Sequence, residues 1–207
     1  MSLSCIVQAQ LATERKQPLP FVLLIVVTAL ALNLALNIAN NALGLPFFMD
    51  SIGTAIAAVT VGLVPALVVA VGTNGLFELA YGMDFTHLPF AICGIATVLI
   101  LRAFLSRGLF RTAGHALVAT LAVALANAVL GATVVTFLFG GVTAVGIDYL
   151  VTGLVASGQS MLTATFWARI PANIIDKAMA VFAAYFARAP LLALANRLSA
   201  ARALPPE

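Results

Sequence analysis

The sequence predicts an all-α integral membrane protein, a six-helix transmembrane bundle with both termini cytoplasmic, and three observations carry that expectation. Of the 207 residues, 63% are hydrophobic and 8% charged, a balance that a water-facing surface does not tolerate. The apolar residues gather into runs of about the length a bilayer requires. The cations also sort by side. With the N-terminus inside, six spans place Arg15, Lys16, Arg102, Arg107, Arg111, Arg188, Arg197 and Arg202 on the cytoplasmic side. Outside they leave Arg169, with Lys177 inside the last span, a ratio of eight to one that the opposite orientation would invert.

Residues 1–19 form a mixed cytoplasmic leader ending in Arg15 and Lys16. The run from Phe21 to Ala39 is longer than the apolar region of a signal peptide, so it reads as a retained span, about 20–39. Asp50 or Ser51 caps the second span, about 50–62, which Gly62-Leu-Val-Pro65 breaks. Pro65 suits the first turn of the third span, about 65–81. Both are short for a hydrocarbon layer of about 30 Å, which predicts a helical hairpin packed within protein. The fourth span is expected at about 88–105 and the fifth at about 116–139, closing at Gly140-Gly141. Residues 142–169, interrupted by Asp148, Gly153, Gly158, Gln159 and Trp167, read as an external loop carrying short helices. The sixth span follows at about 170–187, and residues 188–207 are expected as a basic tail with no soluble domain. The loops at 40–49, 82–87 and 142–169 then share the outer face, with Tyr81, Tyr149 and Trp167 near the interface.

The polar residues concentrate around Asn33 to Thr54, NLALNIANNALGLPFFMDSIGT. At about 100° per residue, Asn33, Asn37, Asn40 and Asn41 fall within one arc of the first helix. Amides inside a span need partners, so this face is a site or a packing seam. Ala31, Ala35 and Ala39 lie roughly opposite and make a smooth face, open to internal packing or to a partner helix. Asn74, Glu78 and Tyr81 form one stripe on the third span, and Asn173, Asp176 and Lys177 open the sixth. A charge at mid-span costs about 2.5–3.5 kcal/mol, so Glu78, Asp176 and Lys177 should face one another or a polar interior. A structural Glu78–Lys177 ion pair and an outward-opening ligand pocket both satisfy that requirement, with Asn127 the deepest polar member of the pocket. Phe47, Phe48, Tyr81 and Trp167 are candidates to cover a flat ligand ring. Asp50, Glu78, Asp84, Asp148 and Asp176 outnumber Arg169 and Lys177 on the outer half, which favours a neutral or cationic solute. Asn37, Asn74, Glu78 and Asn173 would hold it beneath a lid formed by residues 41–49, with Asn40, Asn41 and Asp50 alongside.

Enzymatic motifs are missing: there is no HExxH, GxSxG or Walker sequence. Cys5 and Cys93 are not expected to meet, His87 and His115 read as loop residues, and neither a metal nor a cofactor is expected. No basic patch points to nucleic acid.

The LGLPFFMDSIGT loop and helix start, the Gly62-Leu-Val-Pro65-Ala hairpin followed by Asn74, and the late PANIIDKAMAVFAAYF segment carry a resemblance. From about Leu19 to Ala187 the chain resembles the substrate-binding S component of an energy-coupling factor transporter, an ABC-type importer. The resemblance implies a small vitamin-type binder in the bacterial cytoplasmic membrane, working with a transmembrane coupling subunit and ATPase subunits that perform the ATP hydrolysis. In that family an AxxxA-type face of the first helix contacts the coupling subunit, a feature that Ala31, Ala35 and Ala39 match. The outer halves of the later helices and the external loops form the family's pocket. Ser2 follows Met1 where metal-binding relatives carry Met-His, so cobalt and nickel are not expected. A membrane sensor module and a structural membrane subunit are the alternatives.

Overall fold

Ala, Leu, Val and Ile in long uninterrupted runs leave the backbone no polar partner except itself, and helices result. The computed structural model describes residues 17–143 and 147–202; Cys5, Arg15 and Lys16 lie outside them. Seven α-helices follow in order: α1 (Leu19–Ala42), α2 (Ile52–Thr60), α3 (Leu63–Tyr81), α4 (Ala91–Ser106, after a 3-10 turn at Leu88–Phe90), α5 (Ala113–Phe139), α6 (Asp148–Ala156) and α7 (Met161–Arg202). No strand occurs among the described residues. Five helical stretches are long and apolar enough to cross a membrane, at 19–42, 63–81, 88–106, 113–139 and 161–200.

The expected span at 50–62 takes a different form. Its helix, α2, has nine residues, about 13 Å of rise and too little to cross alone. Pro46 disfavours helix at Leu45, and Gly44 and Met49 adopt positive φ of 63° and 48°, so residues 45–51 are non-helical. This segment nevertheless runs the depth of α1. Asn40 donates to the carbonyls of Leu45 and Phe47 at one end, and Gln17, just before α1, donates to the Thr60 carbonyl at the other. Between these ends Asn33 accepts from the Gly53 amide, so the segment runs antiparallel to α1. The expected packing within protein holds, since Gly53, Thr54, Ala55 and Ala57 to Thr60 are all buried. Gly53 is obligatory here: a Cβ would sit 2.2 Å from the Ala29 carbonyl oxygen.

A second difference concerns the end of the chain. The expected loop at 142–169 contains one short helix, α6, and α7 then begins at Met161 and passes through Pro171 and Pro190 as a single helix of 42 residues. The expected span 170–187 is the middle of it, and the expected tail is helical to Arg202. Ser160 starts α7 by accepting from the Thr163 amide, a capping pattern visible in the sequence. A proline inside a membrane helix, such as Pro171, is tolerated where neighbouring helices enclose it. Leu191 and Ala195 of the former tail pack on the main core.

That core fills the half of the bundle away from the α1 C-terminus, with Phe21, Ile25, Val59, Val98, Leu101 and Val181 buried together. A smaller cluster of Ile147, Val151, Ala164 and Ala168 docks α6 on α7. Arg102, Arg107 and Arg111 lie where α4 ends and α5 begins, and Arg188 reaches the same end by donating to the Val59 carbonyl. Among the described residues the acidic side chains, Asp50, Glu78, Asp84, Asp148 and Asp176, lie in the opposite half, called here the mouth half. Leu23, Leu24, Val27 and Phe137 are exposed on the outer helix faces, as lipid contact requires.

Candidate functional site

Non-helical backbone at membrane depth survives only where protein or a water-filled cavity satisfies it, and the α1 asparagines do so for residues 45–53. Asn40 serves Leu45 and Phe47, Asn37 donates to the Phe48 carbonyl at 2.9 Å, and Asn33 accepts from the Gly53 amide at 2.7 Å. Asn33 also donates to Thr54 and Thr73. The asparagine arc is therefore a seam first. Only its outermost members have a second role: Tyr81 donates to Asn37 and accepts from Asn41, joining α1 to α3 at the mouth.

The charged residues pair differently from the expectation. Lys177, fully buried on α7, donates to Asp176 at 2.6 Å, Ser51 at 2.8 Å and Asp50 at 3.3 Å. The other Asp176 oxygen accepts from the Met49 amide at 2.7 Å. This cluster ties α7 to the non-helical segment at its positive-φ residue. Glu78 does not meet Lys177. Its carboxylate accepts from the amides of Phe85, His87 and Leu88 at 3.0, 2.6 and 2.6 Å and so closes the α3–α4 loop. The expected Glu78–Lys177 ion pair is corrected to Lys177 with Asp50 and Asp176, because the loop amides lie nearer to Glu78 and lack other partners.

Between these two anchors lies a cavity of about 110 Å³, opening into a vestibule of about 700 Å³. An apolar cavity of about 150 Å³ takes up benzene, so the inner chamber suits a ring-sized group. Asn37, Asn41, Phe47 and Phe48 form one wall. Asn74, Asn127 and Asn173 form the floor, with Asp50 and Lys177 at its edge. Each of the three floor asparagines donates its amide to the carbonyl four residues earlier, on Ala70, Val123 and Arg169. Asn127 donates further to Thr97 on α4. That orientation leaves three amide oxygens without hydrogen-bond partners among the described residues.

Nine of the fourteen expected residues thus meet at the cavity, and five do not. Asn40, Glu78 and Asp176 are committed to backbone or ion-pair partners, and Tyr81 lines the vestibule. Trp167 lies on the outer face of α7, 56% exposed beside Phe166. Phe77, His87 and Phe90 supply ring surface that the sequence reading did not assign, and Cys93 lines the floor. Arg169 was read as a loop cation, but it is 3% exposed and faces the cavity from α7. The signal for it was its spacing: Arg169, Asn173 and Lys177 at i, i+4 and i+8 share a helix face once the helix runs through Pro171.

Ala31, Ala35 and Ala39 are exposed on the side of α1 away from the seam. Among the described residues no cluster of His, Cys, Asp and Glu is arranged to hold a metal. No family model matches the chain, and neither a curated protein nor a solved structure matches it.

Proposed function

We propose that this chain is the solute-capturing membrane subunit of an importer of the energy-coupling factor type. It takes up a small vitamin-like molecule from outside and releases it inside with a transmembrane coupling subunit and partner ATPases. The observation that carries the reading is the chamber beneath residues 45–51, open through the vestibule at one end and closed by the apolar core at the other. A non-helical segment held by side-chain amides is a lid that moves without unfolding a helix.

Counting residues 45–60 as a crossing makes six, which returns both ends of the helical bundle to the arginine-rich side. The positive-inside rule assigns that side to the cytoplasm of a bacterial inner membrane. The vestibule then faces outward. Cysteines at exposed Gly44 and Tyr149 should react with an impermeant thiol reagent from outside, and one at exposed Ser106 should not. The exposed Ala31, Ala35 and Ala39 form the face offered to the coupling subunit, where small residues permit close helix approach. Replacing Ala31 and Ala35 with Leu should weaken co-purification with that subunit and leave solute binding intact. Native mass spectrometry of the gently purified chain, together with uptake assayed with the coupling subunit and ATPases, tests the whole reading. A chain that retains no small molecule and supports no uptake would remove it.

The internal commitments of Asn40, Glu78, Asp176 and Lys177 favour a second reading, a structural membrane subunit. It requires that Asn127→Leu and Asn173→Leu alter melting without altering any solute response.

A further inference from the structure

We infer that Arg169 is the docking point for a carboxylate on the solute, an assignment that rests on the importer reading and narrows its substrate to small ring-bearing monocarboxylic acids. Arg169 is 3% exposed, and among the described residues its guanidinium makes neither a hydrogen bond nor an ion pair; Nε is buried without a partner. A buried guanidinium without hydrogen-bond acceptors is among the costliest features a membrane protein retains, and such groups mark ligand pathways.

The geometry says which edge is available. The Phe48 and Phe90 ring centroids lie 5.4 and 5.8 Å from the guanidinium carbon, so aromatic rings engage the cation. Gly131 on α5 borders it, with one terminal nitrogen 3.6 Å from where a Cβ would stand, an ordinary packing distance. The in-plane N–H edge remains, and that edge matches a carboxylate bidentately. Lys177 does not compete for the same anion, since Asp50 and Asp176 already pair with it. Asp148, in the first turn of α6, accepts from the Thr143 amide. Its charge acts on Arg169 and opposes a doubly charged group such as phosphate more than a monoanion. On the floor, the free oxygens of Asn74, Asn127 and Asn173 ask for N–H donors on the same solute, and the rings of Phe77 and His87 cover its body.

The acidic excess anticipated from the sequence therefore does not set the solute's charge. Glu78 is occupied by three amides, and Asp50 and Asp176 by Lys177.

Thermal melting of the full chain in detergent, freed of endogenous solute, tests the inference with benzoate, benzamide and inorganic phosphate at matched millimolar concentrations. Benzoate should raise the melting midpoint, with benzamide and phosphate at least tenfold weaker. Arg169→Met should abolish the benzoate response while melting no earlier than wild type, because the guanidinium it removes makes no hydrogen bond to the described residues. Arg169→Lys should keep a weakened response. Early melting of Arg169→Met would make the residue a structural partner of Asp148 and overturn the inference. So would an equal response to benzoate and benzamide, including none, or a phosphate response as large as that to benzoate. Loss of the benzoate effect with partner-dependent uptake intact would sink this assignment alone, whereas a benzoate effect without uptake would sink the importer reading alone.

Discussion

Two buried cations stand eight residues apart on one helix, and the contrast between their surroundings separates structure from site. Lys177 is met by two carboxylates and a hydroxyl, all within 3.3 Å, and one of those carboxylates also holds the Met49 amide. Arg169 is just as deeply placed and has aromatic rings but no acceptor among the described residues. A saturated cation joins helices; an unsaturated one lining a cavity is the one with hydrogen-bonding capacity to spare. Asparagines divide in the same way. Asn33 uses both ends of its amide on the protein, whereas Asn173 keeps its oxygen for the chamber.

The largest expected effect comes from breaking the saturated side. Lys177→Met strands the buried Asp176 beside Asp50 and should cost about 3–5 kcal/mol, the range for removing one partner of a buried pair. The protein should melt far earlier than Arg169→Met does, and equal melting of the two variants would erase the distinction. Glu78→Gln comes next. It weakens charge-assisted bonds to three loop amides, worth about 1–3 kcal/mol, and because Glu78 does not line the inner chamber it should leave the benzoate response unchanged at saturation. A lost response in a folded Glu78→Gln protein would return that residue to the site.

Asp50→Asn sharpens the comparison within the Lys177 cluster. Its side chain is 30% exposed and the longest of the three contacts, so the loss should be about 1 kcal/mol, well below that of Lys177→Met. The smallest effect belongs to Asp84, an exposed loop residue outside the helices. Hydrogen bonds from Thr86, side chain first and then backbone, hold its carboxyl below the ordinary value of 3.8. A depressed folded value means that the stabilisation is fully present above the unfolded value and is lost as pH falls through the folded one. The difference in melting between wild type and Asp84→Asn should therefore be small and constant near neutrality and close only in strong acid. A difference that grows on acidification would reverse the sign.

Much of this was legible. The stretch from Asn33 to Thr54 was identified as central, and the structure makes it a hydrogen-bonded seam and one wall of the cavity. Asn74, Asn127 and Asn173 were assigned to an outward-opening pocket, and all three line the same cavity. Trp167 went astray because an aromatic near the interface fits either a ligand or lipid, and its two-residue offset from Arg169 turns it about 200° away. Arg169 went unrecognised because the polar and glycine residues at 148–167 suggested a loop lasting to 169, which detached the cation from the stripe with Asn173 and Lys177.

By itself the sequence determined the membrane class, the apolar spans at 19–42, 63–81, 88–106 and 113–139 to within a few residues, and the polar character of the mouth half, because hydropathy and residue spacing are local properties. Tertiary structure alone decided that residues 45–51 would run unwound through the bundle, that Lys177 would choose Asp50 and Asp176 over Glu78, and that Arg169 would be left facing the cavity. Those outcomes depend on which groups are nearest in space across 127 residues of chain between Asp50 and Lys177. Distances over that separation are set by how helices pack, and no periodicity in a single helix encodes them.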